Sequence, residues 1–485
     1  MTELSTIAFM AGSARRRFVF RHLQLLFPLS QPLYEAAAIL ALCPLLLSAA
    51  IWNGYPLIFY DTGAYMLQSF GDKFVPERSP VFSLFIFFAG GGKSLWLVAI
   101  AETAVAAFVL VETARAVAPR VALPAVFVIG AALTILTALP WYAGQIEPDI
   151  FTPVLILVLY LLAFHVERLG WWRSALLIAI AALCTAVHPS HLGLAAGLVI
   201  VLVVFWLFAV WRGSWPAPNL PLPISAVCLG LCLIWSANYH FTRHIFVSRA
   251  GPVFMFARML QDGVVQKVLD ETCPSADLML CRYRKVLPHR ADKWLWGPGT
   301  PFVKLHRFLG TEKESTRIVH EALTRYPLWN LELAARDAAQ QFTLFYTGDQ
   351  IEPQQWILFR DFLKFIPDQL PAYGAARQQK GKLHFGVINV LHVPIGFAVL
   401  AMLLGGAGWA FYNGDRRSAP LLGFILVALI GNAIVCGVFS NPHARYQSRL
   451  IWVPAYVLAL LWLEKRALPG NGGITEEPSR GLAEA

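Results

Sequence analysis

The stretch HLGLAAGLVIVLVVFWLFAVW, residues 191–211, holds no acidic or basic side chain other than its first histidine and is followed directly by Arg212. A helix rises about 1.5 Å per residue, so a run of this length crosses the roughly 30 Å hydrocarbon core of a bilayer. Backbone groups in lipid must be hydrogen-bonded within their own segment, which only a helix allows for a single stretch. The run therefore predicts a transmembrane helix.

Comparable apolar runs recur along the chain, and with 191–211 they predict about ten transmembrane helices. They cover about 34–52, 94–113, 121–140, 150–166, 173–188, 191–211, 224–241, 386–411, 419–439 and 449–464. Only 14% of the residues are charged and 57% are hydrophobic, whereas soluble domains carry about 25% charged residues. The predicted fold is an all-α polytopic membrane protein.

Basic residues predict the orientation. They lie on one side of the spans: Arg15, Arg16, Arg17, Arg21, Arg115, Arg120, Arg168, Arg173, Arg212, Arg416, Arg417, Lys465 and Arg466. This side is cytoplasmic by the positive-inside rule, so both termini are expected inside, in a bacterial inner (cytoplasmic) membrane. The net charge of +10 belongs to this pattern and does not predict nucleic-acid binding.

The predicted organisation has five parts. A cytoplasmic segment, 1–33, precedes helices one to seven in 34–241, which include a first external loop, 53–79. A mainly helical external soluble domain, 242–385, separates them from helices eight to ten in 386–464, and a cytoplasmic tail, 465–485, follows.

Cys273 and Cys281 are the only cysteines outside the apolar runs. Eight residues apart in the predicted external domain, they favour a disulfide in an oxidising compartment. A metal site is the alternative, but no second Cys or His pair nearby completes a ligand set.

Three carboxylates, Asp61, Glu147 and Asp149, fall in external loops beside the spans. Carboxylates that converge from two loops can deprotonate an acceptor, and Asp61 and Asp149 could also hold a divalent cation such as Mg or Mn. The structural alternatives are an Asx-turn for Asp61 and a helix N-cap for Asp149.

External links also hold side chains suited to an anion: Arg78, His188, His191, His443, Arg445 and Arg449. The planar guanidinium matches phosphate geometry, and imidazole can hydrogen-bond a phosphate. For Arg445 and Arg449 the alternative is snorkelling towards lipid headgroups. For His188 and His191, which flank one proline, it is a structural turn.

The order of these elements resembles the GT-C superfamily of integral-membrane glycosyltransferases, over roughly residues 30–240. A first span is followed by an external loop with Asp61, then by Arg78-Ser-Pro-Val-Phe, then by the acidic loop of Glu147 and Asp149. The resemblance implies a polyprenyl-phosphate-linked sugar as donor and a glycan, lipid or protein acceptor on the external face. It also implies that Asp61 matches the catalytic first-loop Asp, with Glu147 or Asp149 as the second-loop acid. Thr62 stands where many members have a second acid, which leaves the metal requirement open.

Two other functions are kept as alternatives. One is a transporter or flippase of a lipid-linked saccharide, and the other is a non-catalytic membrane assembly protein. Transporters often contain internal repeats and carry charged residues near the midplane. The sequence shows no convincing repeat, and its polar residues gather at one edge of the spans, which favours the enzyme.

Cysteine accessibility on intact cells checks the predicted topology. A membrane-impermeant maleimide should label cysteines placed at position 61 and within 242–385, but should label one at position 416 only after permeabilisation. Labelling of positions 61 and 416 from the same side would remove the argument for a shared external site.

Overall fold

A computed structural model describes residues 31–467 of the chain. Within this range the chain forms helices and turns but no strand, and a single isolated β-bridge joins Leu57 and Gln145. The all-helical class is as predicted. Arg15, Arg16, Arg17, Arg21 and residues 468–485 of the predicted tail lie outside the described residues.

Eleven helices precede the predicted external domain. They are α1 (Gln31–Leu46), α2 (Ser48–Asn53), α3 (Tyr60–Gly71), α4 (Pro80–Ala89), α5 (Leu95–Val117), α6 (Leu123–Leu136), α7 (Leu139–Ala143), α8 (Phe151–Phe164), α9 (Val166–Ala186), α10 (Pro189–Arg212) and α11 (Pro221–Thr242). A 3-10 turn, Pro148–Ile150, leads into α8.

The rest of the described chain contributes twelve more helices. They are α12 (Gly251–Gln261), α13 (Val264–Thr272), α14 (Ala291–Trp296), α15 (Pro301–Lys304), α16 (Arg307–Arg325), α17 (Pro327–Phe342), α18 (Gln355–Phe365), α19 (Leu370–Ala375), α20 (Phe385–Tyr412), α21 (Ser418–Phe439), α22 (Ala444–Ser448) and α23 (Trp452–Arg466). Two 3-10 turns, Met279–Val286 and Pro367–Gln369, lie between them.

Six of these helices, α5, α9, α10, α11, α20 and α21, are long and apolar enough to cross a membrane. Four shorter apolar segments accompany them: Pro32–Leu46, Pro80–Ala89, Leu123–Leu136 and Pro148–Phe164. The protein is therefore a membrane protein by the length and composition of its helices. The predicted spans 34–52, 121–140, 150–166 and 449–464 fall on shorter helices, so a count of ten is not established.

Local backbone chemistry explains two of the shortened helices. Pro44 lies inside α1, and because proline cannot donate a helical hydrogen bond, a helix is weakened around it. The predicted run 34–52 accordingly divides at Leu47 into α1 and α2. In the run 121–140, Thr137 turns extended and ends α6, and Pro140 opens the short α7.

The end of the bundle predicted to be cytoplasmic is held by ion pairs between helices. Arg173 lies between Glu35 of α1 and Glu112 of α5, 2.6 Å from a Glu35 oxygen and 2.5 Å from a Glu112 oxygen. Arg120 and Arg417 share Glu464 of α23, at 2.7 and 3.0 Å. Basic residues from separate loops are thus held by carboxylates of the helices.

The segment 242–385 consists of two parts. Its first part forms a separate hydrophobic core between Ala250 and Leu333, centred on the fully buried Trp294. Its second part packs on the bundle, since Leu358 and Phe362 belong to the main hydrophobic cluster of the membrane helices. The single external domain of the sequence prediction is therefore one small helical domain followed by a layer of helices on the bundle.

The predicted cysteine pair is present in the first part. Cys273 and Cys281 form a disulfide with their Cα atoms 5.6 Å apart. It closes the short loop between α13 and the 3-10 turn Met279–Val286.

Removing Arg173 should destabilise the fold, because Glu35 and Glu112 would keep Arg115, at 3.1 and 3.0 Å, but lose the more deeply buried of their two shared cations. Breaking a buried ion pair on one side costs about 3–5 kcal/mol, and less where a second cation remains, so we expect Arg173→Met to lower the melting temperature in detergent. Arg416→Met is the matched control, since Arg416 is exposed. Equal melting temperatures for the two variants would contradict the structural role of Arg173.

Candidate functional site

The two predicted acidic loops meet through their backbones. Leu57 N donates to Gly144 O at 2.8 Å, and Ile146 N donates to Leu57 O at 3.0 Å. The Thr62 hydroxyl lies 3.1 Å from Ile146 O and 3.3 Å from Glu147 Oε1. The loop that carries Asp61 and the loop that carries Glu147 and Asp149 are thereby fixed side by side.

Asp61 lies in the first turn of α3 between two arginines. One carboxylate oxygen accepts a hydrogen bond from Arg78, which immediately precedes the Ser79 cap of α4. The other oxygen lies 4.0 Å from Arg445 of α22. The Asp61 side chain is 15% exposed, so the carboxylate is partly accessible. The predicted Asx-turn is not its role, because its partners are distant in the chain.

Asp149 forms a second, more deeply buried pair with Arg449. The Arg449 side chain is 2% exposed, and its second terminal nitrogen donates to Asn432 Oδ1 at 3.1 Å. Asp149 caps no helix in the structure. Its second oxygen has no hydrogen-bond partner in the described chain, so the pair is not fully satisfied.

Arg445 has unused hydrogen-bond donors. Its guanidinium lies over the Phe59 ring at 4.3 Å and over the Tyr446 ring at 4.9 Å. Its Nε and one terminal nitrogen are buried with no hydrogen-bond partner among the described residues. Buried guanidinium nitrogens are usually hydrogen-bonded, so this group is suited to receive an anion.

Three guanidiniums, those of Arg78, Arg445 and Arg449, lie beside the paired carboxylates of Asp61 and Asp149. Burial, and then the neighbouring Asp61 carboxylate, raises the pKa of the nearby Glu147 well above its usual range. The raised pKa of Glu147 reduces the negative charge that opposes the guanidiniums, which favours an anionic ligand.

His443 joins the cluster to the external domain. It lies 3.4 Å from Asp349 and 3.7 Å from Asp292 of α14. Burial opposes its charged form, but the hydrogen bonds to the two carboxylates outweigh burial and raise its pKa to about 10. The Gln341 side chain accepts from His443 N and donates to His443 O, both at 2.9 Å. These contacts favour a positioning role over the predicted binding role.

His188 and His191 have structural partners. His188 Nδ1 accepts from Ser190 N at 3.2 Å and so caps α10. His191 Nδ1 donates to Cys184 O at 2.8 Å, which leaves Nε2 to accept from the Thr152 hydroxyl at 2.6 Å. Both ring nitrogens of His191 are occupied, so the turn alternative describes it better than phosphate binding.

Glu102 was missed by the sequence reasoning. It is fully buried inside the membrane helix α5, and neither carboxyl oxygen has a hydrogen-bond partner in the described chain. It lies close enough to Glu147 and Asp149 for their charges to act on it. Its only sequence signal is an acid in the middle of the apolar run 94–113, which contradicts the statement that polar residues gather at one edge.

A small cleft of about 20 Å³ lies beside Arg78. Its lining includes Glu77 and Arg78, Ile234 and Asn238 of α11, and Phe246 of the following loop. Asp61 and Asp149 are not part of this lining, so the predicted single cavity with both carboxylates is not seen. Arg78 is the predicted site residue that faces the cleft.

The arrangement does not fit a metal site. Among residues 31–467, no group of three or more His, Cys, Asp or Glu side chains is placed to hold a metal ion. Asp61 and Asp149, the two predicted ligands, each face an arginine instead. The geometry fits an anion better than a cation.

Comparisons with protein-family models, curated proteins and solved structures find no match to this chain. The resemblance to the GT-C superfamily therefore depends on the order and chemistry of the residues described above.

A double-mutant cycle tests the buried pair. Arg449→Met leaves Asp149 as an uncompensated buried charge, so a loss of about 3–5 kcal/mol in the free energy of unfolding is expected. Asp149→Asn should also destabilise the protein. The free energy of unfolding should fall less in the double variant than the sum of the decreases in the two single variants. If the decreases are additive, the two side chains do not interact.

Proposed function

We propose that this protein is a GT-C-type glycosyltransferase that moves a sugar from a polyprenyl-phosphate donor to an acceptor on the external face of the membrane. The observation that carries the proposal is the partly exposed Asp61 held between Arg78 and Arg445, beside the ends of the membrane helices. A carboxylate and two guanidiniums are the groups that such a reaction needs: a base and a binder of the departing phosphate.

In this proposal the arginines bind the donor phosphate. Arg445 offers its unused donors, and Arg78 lines the small cleft beside α11. When the phosphate pairs with the guanidiniums, the Asp61 oxygens are released from them. In the free protein the arginines are thus paired with Asp61, and in the complex they are paired with the donor phosphate. They neutralise the phosphate charge as the phosphate leaves the sugar.

The transfer is a single displacement with inversion. The acceptor hydroxyl oxygen attacks the anomeric carbon, and the bond from that carbon to the phosphate oxygen breaks with its electron pair on the phosphate. Asp61 takes the hydroxyl proton. Asp149 and Arg449 position the neighbouring loop, and Glu147 accepts a hydrogen bond from the Thr62 hydroxyl.

The proposal also includes the number and orientation of the membrane helices. The number is ten if α1, α6, α8 and α23 cross the membrane in addition to the six long helices. These four are shorter, and the short helices and turns next to them would cover the rest of the membrane thickness. Both termini then lie on the side of Arg115, Arg120 and Arg417, which the positive-inside rule makes cytoplasmic. Asp61 and its arginines lie at the opposite, external end.

Trp296 is the proposed stacking surface for a sugar ring. It is 46% exposed, it packs at 6.0 Å on Phe308, and the Arg78 guanidinium lies 5.8 Å from its ring centroid. Trp294, two residues earlier, is fully buried in the domain core and cannot take this role.

Transport of a lipid-linked saccharide is the second candidate, and Glu102 is the observation that favours it. Ionisable residues inside membrane helices often form part of proton or substrate paths. An enzyme that uses Asp61 should tolerate Glu102→Gln, whereas a proton-coupled transporter should not.

The decisive substitution for the enzyme is Asp61→Asn. It keeps size and hydrogen bonding but removes the base, so transfer of labelled sugar from a polyprenyl-phosphate donor should fall at least about a hundredfold. Asp72→Asn is the matched control. Asp72 lies exposed at the other end of α3 with φ of 49°, a conformation that asparagine also tolerates.

Near-normal transfer by Asp61→Asn would reject the assignment of the base. Loss of saccharide translocation in Glu102→Gln, with no sugar transfer by the unaltered protein, would support the transporter instead.

A further inference from the structure

Helix α18 (Gln355–Phe365) has an apolar side that no part of the described chain covers. Leu358 and Phe362 point into the protein and are buried. The outward residues are Trp356, Ile357, Phe359 and Leu363, with exposures of 93%, 57%, 41% and 53%. Large exposed apolar surfaces on one helix mark an interaction site.

The helix lies level with the ends of two membrane helices. The Phe362 ring is 6.1 Å from the ring of Tyr55, which follows the end of α2. Just after α18, the Gln369 side chain accepts from Leu95 N, the first residue of α5, at 3.4 Å. Because α5 is long enough to cross the membrane and begins here, α18 lies at the membrane boundary.

The composition of α18 suits a lipid surface. Tryptophan is enriched where the hydrocarbon meets the headgroups, and the exposed Arg360 and Lys364 can pair with anionic headgroups. The inner side of α18 packs beside a candidate membrane segment, since Phe365 lies 6.1 Å from Phe70, which lies 6.4 Å from Phe87 of the apolar helix α4. This position beside a candidate membrane segment favours lipid over a protein partner.

We propose that α18 is an interfacial helix whose apolar side inserts into the outer leaflet and sets the depth of the Asp61 site. Gly63, two residues after Asp61 in α3, packs directly on Leu358 and Asp361 of α18. A Cβ at Gly63 would lie 2.8 Å from an Asp361 oxygen, so the two helices cannot shift independently. The link to the donor phosphate rests on the proposed function, but insertion of α18 does not.

Spin-label accessibility in vesicles of phosphatidylethanolamine and phosphatidylglycerol tests insertion. A label at Trp356→Cys, in a full-length chain whose five free cysteines are replaced by serine, should be relaxed by oxygen and protected from a water-soluble nickel chelate. The matched control is Arg290→Cys, since the Arg290 side chain is 77% exposed on the external domain. It should show the opposite pattern.

Equal access of the nickel chelate to both labels would overturn the proposal. Dipolar broadening between labels at position 356 would also overturn it, since a second copy of the chain would then cover this face. If the cysteine-free chain fails to fold, quenching by brominated lipids of the otherwise unaltered protein is compared with that of Trp356→Phe. The variant should lose a quenched component, and identical quenching would contradict insertion. These readouts use no transfer activity, so they can fail or succeed independently of the proposed function.

Discussion

Arginine–carboxylate pairing at the end of the bundle that carries Asp61 and Asp149 is the interaction on which the candidate site depends. Arg449 and Asp149 are almost fully buried and come from segments 300 residues apart in sequence. Because an unpaired buried charge is costly, loss of either Arg449 or Asp149 would destabilise the protein. The pair also holds the end of α22 against the turn that precedes α8. Arg445, one helical turn before Arg449, is thereby placed over Phe59 and within 4.0 Å of Asp61.

The pairing also gives the site its electrostatic character. Burial raises the pKa of Glu147, which reduces the negative charge that opposes the guanidiniums. Spare donors on Arg445 and a small cleft at Arg78 are the features on which the proposed binding of a lipid phosphate rests. His443 and Trp296 connect this region to the small helical domain.

Hydropathy was sufficient to predict the long helices, because a run such as 191–211 has one stable form in lipid and appears as α10. It failed where a single residue changes the backbone, as at Pro44 in α1. The contact between the loops that carry Asp61 and Asp149 agrees with their common side of the spans, but a single cavity lined by both carboxylates is not seen. The choice of arginine for each acid could not be predicted, because it depends on how distant helices cross. Glu102 was missed because an isolated acid hardly alters the hydropathy of a long apolar run.

Binding of a polyprenyl phosphate, measured by native mass spectrometry against the uncharged polyprenol of the same length, tests the central claim most directly. If the arginine cluster is a lipid-phosphate site, the unaltered protein should retain the phosphate and release the alcohol, and Arg445→Gln should lose most of that preference. Equal retention of phosphate and alcohol, or an unchanged preference in Arg445→Gln, would contradict the account.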